Sequence, residues 1–195
     1  MSTRRGELVL LEDFMKEARQ KAEQEIKKRN KEISEKELEK LSRTIGYGAI
    51  KYAMLKVSPD KNVVFDWEKA LTFEGDAGPY IQYAYARISS ILAKHGKKVD
   101  KADYALLRQE HEIALVKLLE EFPEIMQRSY EHLQPHILAN YVYSLAKSFN
   151  EFYHQCPILQ EKDELKKARV GLITAVQRVL SAGLNILGIE APERM

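Results

Sequence analysis

The sequence predicts an all-α protein, a helical bundle preceded by further helices in a more charged first third. Three observations predict it. Apolar residues recur at spacings of three and four through most of the chain, which places them on one face of a helix. Only 9 glycines and 6 prolines occur among 195 residues, and the prolines fall where periodic segments start or stop. The composition, 45% hydrophobic and 31% charged, is that of a globular chain long enough to bury a core.

Each element follows from its residues. Leu11, Phe14, Met15 and Ala18 begin a long helical pattern that a charged run from Lys21 to Lys31 continues. Ser34 and Glu37 form an S-x-x-E capping box, so a second helix starts there. Its buried stripe is Leu38, Leu41, Ile45 and Ala49, and Gly46 and Gly48 within it permit close backbone approach or a kink. Ser58-Pro59-Asp60-Lys61 is a turn, and Asn62 to Trp67 reads as a short extended segment before a short helix. Gly75-Asp76-Ala77-Gly78-Pro79 is the strongest break. Pro79 suits the first position of a helix that runs to about Lys94, and Gly96 can end that helix in a left-handed conformation.

Asp103 can cap the next helix, which carries Leu106, Leu107, Ile113, Leu115, Val116 and Leu119. Pro123 is expected to break it, leaving a short helix over 124–131. Pro135 opens another that ends before Pro157. The last runs from about Asp163 to Leu187, with Leu165, Ala168, Leu172, Val176, Val179 and Leu187 on one face. Six or seven helices with short connections make an α bundle.

The charge excludes some functions. A net charge of +2 argues against a strongly basic, histone-like partner for nucleic acid, though not against a local basic stripe. Residues 1–56 hold 14 Lys and Arg against 10 Asp and Glu, so the first third is basic and the remainder slightly acidic. Cys156 is the only cysteine, which excludes an intrachain disulfide and fits a reducing cytosol. Two arginines near the start are followed by no apolar run, so no secretory signal is expected. No window approaches ~18 uninterrupted apolar residues, so no membrane span is expected.

Side-chain chemistry narrows the field further. His132 and His136 are four apart, but Pro135 lies between them and no cysteine pair or H-e-x-x-H pattern accompanies them, so no metal is expected. His154 and Cys156 are two apart and point to different helix faces, a poor catalytic dyad. Neither a P-loop nor a G-x-G-x-x-G motif occurs. Aromatics say more. Tyr80, Tyr83 and Arg87 share one helix face, with Gln82 and Tyr85 beside them. Tyr141, Tyr143, Phe149, Phe152 and Tyr153 form a second cluster. Such clusters serve either as core packing or as a stacking platform for unpaired bases, with Arg87 and Gln82 as polar readers.

Several segments together carry a resemblance. Phe65-Asp66-Trp67 and Phe73-Glu-Gly-Asp-Ala-Gly-Pro-Tyr80-Ile-Gln-Tyr83-Ala-Tyr-Ala-Arg87 resemble the junction of arginyl-tRNA synthetases. Phe149-Asn-Glu-Phe-Tyr153 with Cys156-Pro157, then Ala168-Arg169, Val179-Leu, Gly183-Leu and Leu187-Gly-Ile-Glu-Ala-Pro-Glu-Arg-Met195, resemble the end of the same enzymes. Residues from about 103 onward are similar to their α-helical DALR anticodon-binding domain. Met1-Ser2-Thr3-Arg4 resembles the end of the class I signature loop. The preceding lysine, the His-Ile-Gly-His motif and the nucleotide-binding α/β domain have no counterpart in this sequence.

The resemblance implies a C-terminal part of arginine-tRNA ligase, cut inside the signature loop. The intact enzyme would join arginine to its tRNA using ATP with magnesium, and Ser2, Thr3 and Arg4 would help hold ATP there. This segment alone would hold no cofactor and would be inactive. It divides into 1–78, the signature-loop end and stem-contact helices, and 79–195, the anticodon-binding domain. The implied partners are the anticodon stem-loop of tRNA-Arg and the catalytic domain of the same synthetase. A cytoplasmic monomer that does not engage membranes is expected. Tyr80, Tyr83 and Tyr153 match loop-contacting aromatics of the family, and Met195 matches its terminal methionine. Gln82, Arg87, Lys147, Arg169 and Arg194 are candidates for phosphate or base-edge contacts, with Arg169 equally suited to a structural ion pair. Two alternatives stand beside this reading. One is a free-standing helical module that binds tRNA or a protein. The other is a related synthetase with the same bundle, such as the cysteinyl enzyme, which the Phe-Glu-Gly-Asp and Gln-Tyr junction disfavours.

Overall fold

A computed structural model describes residues 10–30, 32–99 and 101–195. Seven α-helices are present among them, and no strand. They are α1 (Leu11–Arg29), α2 (Glu35–Leu55), α3 (Trp67–Ala70), α4 (Gly78–His95), α5 (Glu110–Glu131), α6 (Pro135–Gln155) and α7 (Asp163–Ile186). No helix among the described residues is long and apolar enough to cross a membrane. The signature-loop resemblance at Met1 to Arg4 falls outside the described residues.

Local chemistry sets the helix ends. The Ser34 hydroxyl accepts from the Glu37 backbone N–H and donates to the Glu37 carboxylate, which starts α2 where the capping box places it. Asp66 caps α3 by accepting from Glu68 and Lys69 backbone N–H groups. Gly96 closes α4 at φ 67°, a conformation that costs a side-chain-bearing residue ~1 kcal/mol or more.

Two differences from the sequence reading concern α5. Asp103 caps only a 3-10 turn, Tyr104–Leu106, and α5 starts later, at Glu110. There the Glu112 carboxylate accepts from the Gln109 backbone N–H. Pro123 does not break α5, which runs on through it to Glu131. The lost backbone donor is outweighed by packing of the helix on the bundle core on both sides of the proline, through Leu118, Leu119 and Phe122 before it and Ile125 and Met126 after it. Phe122 stacks on Tyr141 at 5.8 Å, and the Tyr141 hydroxyl donates to the Leu118 carbonyl at 2.6 Å.

Side chains collect into two cores. The larger lies among α4, α5, α6 and α7 and centres on Ile81, Ile88, Leu115, Leu145, Phe149, Phe152, Ile173 and Leu180. The smaller joins α1 to α2 through Ala22, Ile26, Leu38, Ile45 and Ala49, with Leu71 beneath and Trp67, Phe73 and Met195 at its edge. Helix α2 belongs to both, because Tyr52 at its far end is buried in the larger core. Gly46 lets α1 and α2 touch: a Cβ there would stand 2.8 Å from the Ala18 carbonyl oxygen. Phe14, Phe65 and Trp67 tie the start of α1 to α3, with ring centroids 4.8–4.9 Å apart.

Candidate nucleic-acid interface

The two cores leave a groove between them. It is a cavity of about 780 Å³ with one wall from α1 and α2 and the other from α4 and α6. Its floor is apolar, made by Ile26, Ile33, Leu41, Ile45, Phe73 and Met195. Polar side chains stand around it: Arg29, Arg87, Lys147, Asn150 and His154, opposed by Glu74 and Glu151. Three fixed cations against two carboxylates make a weakly positive site, so stacking and shape must supply more of any grip on RNA than charge does.

Helix periodicity positions the tyrosines. Tyr80, Tyr83 and Arg87 occupy one face of α4, and all three line the groove. Tyr80 is half-buried against Tyr143, at 5.7 Å between centroids. Tyr83 and Tyr153 are 39% and 40% exposed, open enough to receive a flat ligand. Between them sits Arg87, its guanidinium carbon 4.7 Å from the Tyr83 centroid and 4.8 Å from that of Tyr153. Arg87 Nη1 donates to Asn150 Oδ1 at 2.6 Å. This cation–π arrangement joins α4 to α6 and holds both rings at the rim. On the opposite wall the Arg29 guanidinium lies 4.2 Å from the Phe73 ring and bonds Glu25, whose carboxyl it and Lys28 hold below its ordinary range.

The structure brings Tyr80, Tyr83, Arg87, Lys147 and Met195 into this one groove, with Tyr153 at its rim through Arg87. Lys147 pairs loosely with Glu151 at 4.0 Å, and Arg194 is exposed. Gln82 and Arg169 are placed elsewhere. Gln82 is fully buried, and its Nε2 donates to the carbonyls of Thr44 and Glu190 at 3.1 and 2.8 Å, so it is no surface reader in this structure. Arg169 is also fully buried. Its Nε donates to Glu112 at 2.7 Å, and its Nη1 donates to the Pro157 carbonyl and faces Glu161 at 3.3 Å. Of the two roles expected for it, the structure shows the ion pair. Sequence reasoning missed Asn150, Arg29 and Phe73, whose helical or turn contexts are unremarkable. Their importance comes from neighbours tens of residues away.

The remaining candidates form no second site. Cys156 is buried, its Sγ donates to Gln109 Oε1 at 3.0 Å, and burial raises its thiol pKa. His132 is exposed just after α5, and His136 is half-buried in the first turn of α6.

Comparison with known proteins fits this geometry. Residues 81–195 match the family model of the DALR anticodon binding domain, and residues 1–67 match that of the class I (R) tRNA synthetase catalytic domain. Proteins named arginine–tRNA ligase from Methanocella arvoryzae and Methanocaldococcus jannaschii are 41% and 43% identical over the whole chain. The chain spans about a third, 34%, of the length of each. Among solved structures, Thermus thermophilus arginyl-tRNA synthetase superposes with a TM-score of 0.89 at 36% identity, over 96% of this chain and 32% of that one. The Plasmodium falciparum enzyme does so at 0.86 and 29%, over 96% and 34%.

Proposed function

The chain belongs to the family of DALR anticodon-binding domains, and from that premise we propose that its groove receives the anticodon loop of tRNA-Arg. One observation carries the reading: side chains from residue 26 to residue 195 converge on a cavity with an apolar floor and open tyrosine rings at its rim. RNA loops are read as splayed, unstacked bases laid on aromatic faces. The groove offers those faces, polar groups for base edges, and volume for more than one base.

Within this chain, Tyr80, Tyr83 and Tyr153 would stack bases, and Met195 would supply an apolar contact from below. Arg87 and Lys147 would meet phosphate or base edges, as would Arg194 outside the groove. The basic helices α1 and α2 would follow the stem, with Arg29 nearest the loop. The parent protein, by its kinship, would attach arginine to tRNA with ATP and magnesium. Its upstream catalytic domain, to which Ser2, Thr3 and Arg4 would contribute, would be the covalent partner of the helices. A cytoplasmic monomer completes the proposal. The division at 78/79 is part of it and is supported by the bends over 73–77 that precede α4.

The test is filter binding of the chain to tRNA-Arg and to the same tRNA with its anticodon exchanged, across a salt series. The proposal expects tighter binding of tRNA-Arg at every salt concentration and an affinity that falls as salt rises, since a slope near zero would count against phosphate contact. Equal binding of the two would refute it.

A further inference from the structure

The segment after α7 returns to the groove, and polar groups hold it at each step. The chain turns at Gly188, φ 67°, whose carbonyl accepts from Lys51 Nζ on α2. At Glu190 the carboxylate accepts from Thr44 Oγ1 at 3.0 Å, and the carbonyl accepts from Gln82 Nε2 at 2.8 Å. The same Nε2 donates to the Thr44 carbonyl at 3.1 Å. One buried amide therefore joins α4, α2 and the C-terminal segment. Five residues further on, Met195 packs at the edge of the smaller core and lines the groove.

We propose that Gln82 is a positioning residue for RNA recognition: its amide fixes the C-terminal segment on α2 and thereby sets where Met195 stands opposite Tyr80 and Tyr83. This rests on the reading of the groove as the anticodon-loop seat. Residues 190–195 carry no helix or strand, so no backbone ladder of their own dictates where Met195 lies. The anchor at Glu190 does. Nε2 has two hydrogens and serves two carbonyls, and the Gln82 side chain that carries it is fully buried. The identity of residue 82 is then explained by its two acceptors, one on α2 and one on the C-terminal segment, without any contact to RNA.

The chain is prepared with labelled methionine methyl groups, as wild type and as Gln82→Leu, which keeps the volume and removes both donors. The Met195 methyl resonance should shift, while that of Met126, packed on the larger core, stays in place. Affinity for tRNA-Arg should fall about fivefold, the worth of roughly one buried hydrogen bond. In a Met195→Ala background the same change should cost less than about twofold, because Gln82 acts through Met195. Thr44→Val, which removes the second anchor on Glu190, should move the same resonance and keeps the test decisive if Gln82→Leu does not fold. An unmoved Met195 resonance in the folded variants, or fully additive losses, would overturn the proposal. If the wild-type chain does not prefer tRNA-Arg, the groove reading fails, and the Met195 resonance still decides the positioning claim.

Discussion

Arg87 and Asn150 are joined by a 2.6 Å hydrogen bond, and that bond holds a cation between two tyrosine rings contributed by different helices. Without Asn150 the guanidinium would keep its charge and lose its fixed place. Asn150→Ala is therefore expected to weaken tRNA-Arg binding by about tenfold or more, the worth of a hydrogen bond to a charged group. The slope of affinity against salt should not change, since no charge is removed. Wild-type affinity in the folded variant would show that Arg87 needs no such support.

Stacking should dominate the affinity. Tyr80→Ala and Tyr83→Ala are each expected to cost ~1–3 kcal/mol of binding, and Tyr153→Ala a similar amount. Tyr83→Phe should cost little, because it keeps the ring. Filter binding of the four variants checks this, and equal losses for Tyr83→Ala and Tyr83→Phe would contradict it.

The buried pair Arg169 and Glu112 governs stability rather than recognition. Both side chains are 1% exposed, and the other Glu112 oxygen accepts from the Gln109 backbone N–H at the start of α5. Arg169→Met would leave an uncompensated carboxylate in the core and should cost about 3–5 kcal/mol. Replacing both residues by apolar ones should restore part of that loss. Thermal unfolding of the single and double variants measures the difference. A double variant no more stable than Arg169→Met would sink the argument.

Gly46→Ala should loosen α1 alone. The added methyl would meet backbone atoms of Ala18, which cannot swing aside as a side chain could. Overpacking of this kind costs about 1–3 kcal/mol, against a helix-propensity gain of ~1 kcal/mol. Faster amide exchange along α1, with the bundle unchanged, is the expected signature.

Alkaline pH should destabilise the larger core. Tyr52 is fully buried, and burial, reinforced by its bond to Asp76, raises its pKa far above the ordinary 10.0. Burial raises Tyr141 as well. A raised folded-state pKa gives stability that is complete below the unfolded value and is lost as pH climbs above it. Melting temperature should hold up to about pH 10 and fall beyond it. Tyr52→Phe, which removes one of the two groups, should flatten that fall.

Local signals were readable in advance and tertiary ones were not. Ser34 and Gly96 act within a few residues of themselves, so spacing reveals them. The face shared by Tyr80, Tyr83 and Arg87 follows from helix periodicity in the same way. Pro123 misleads because packing of Phe122 and Tyr141 outweighs a local penalty. Gln82 misleads for a related reason: a polar side chain beside aromatic ones looks like a surface reader until its buried acceptors are known, whereas Arg169 takes the ion-pair role that was one of the two expected for it. Asn150 and Arg29 carry no local mark, since their roles depend on Arg87 and Phe73, each more than 40 residues away.

The aromatic triad at the start of α1 has a spectroscopic consequence. Trp67 is the only tryptophan in the chain, and it lies against Phe14 and Phe65 at the edge of the smaller core. Its fluorescence therefore watches the junction of α1 and α3 and is silent about the bundle. The buried tyrosines Tyr52 and Tyr141 belong to the larger core and report on it through their own absorbance. One chain without any attached dye thus carries separate optical readouts for the two cores, and the order in which they melt can be followed in a single sample.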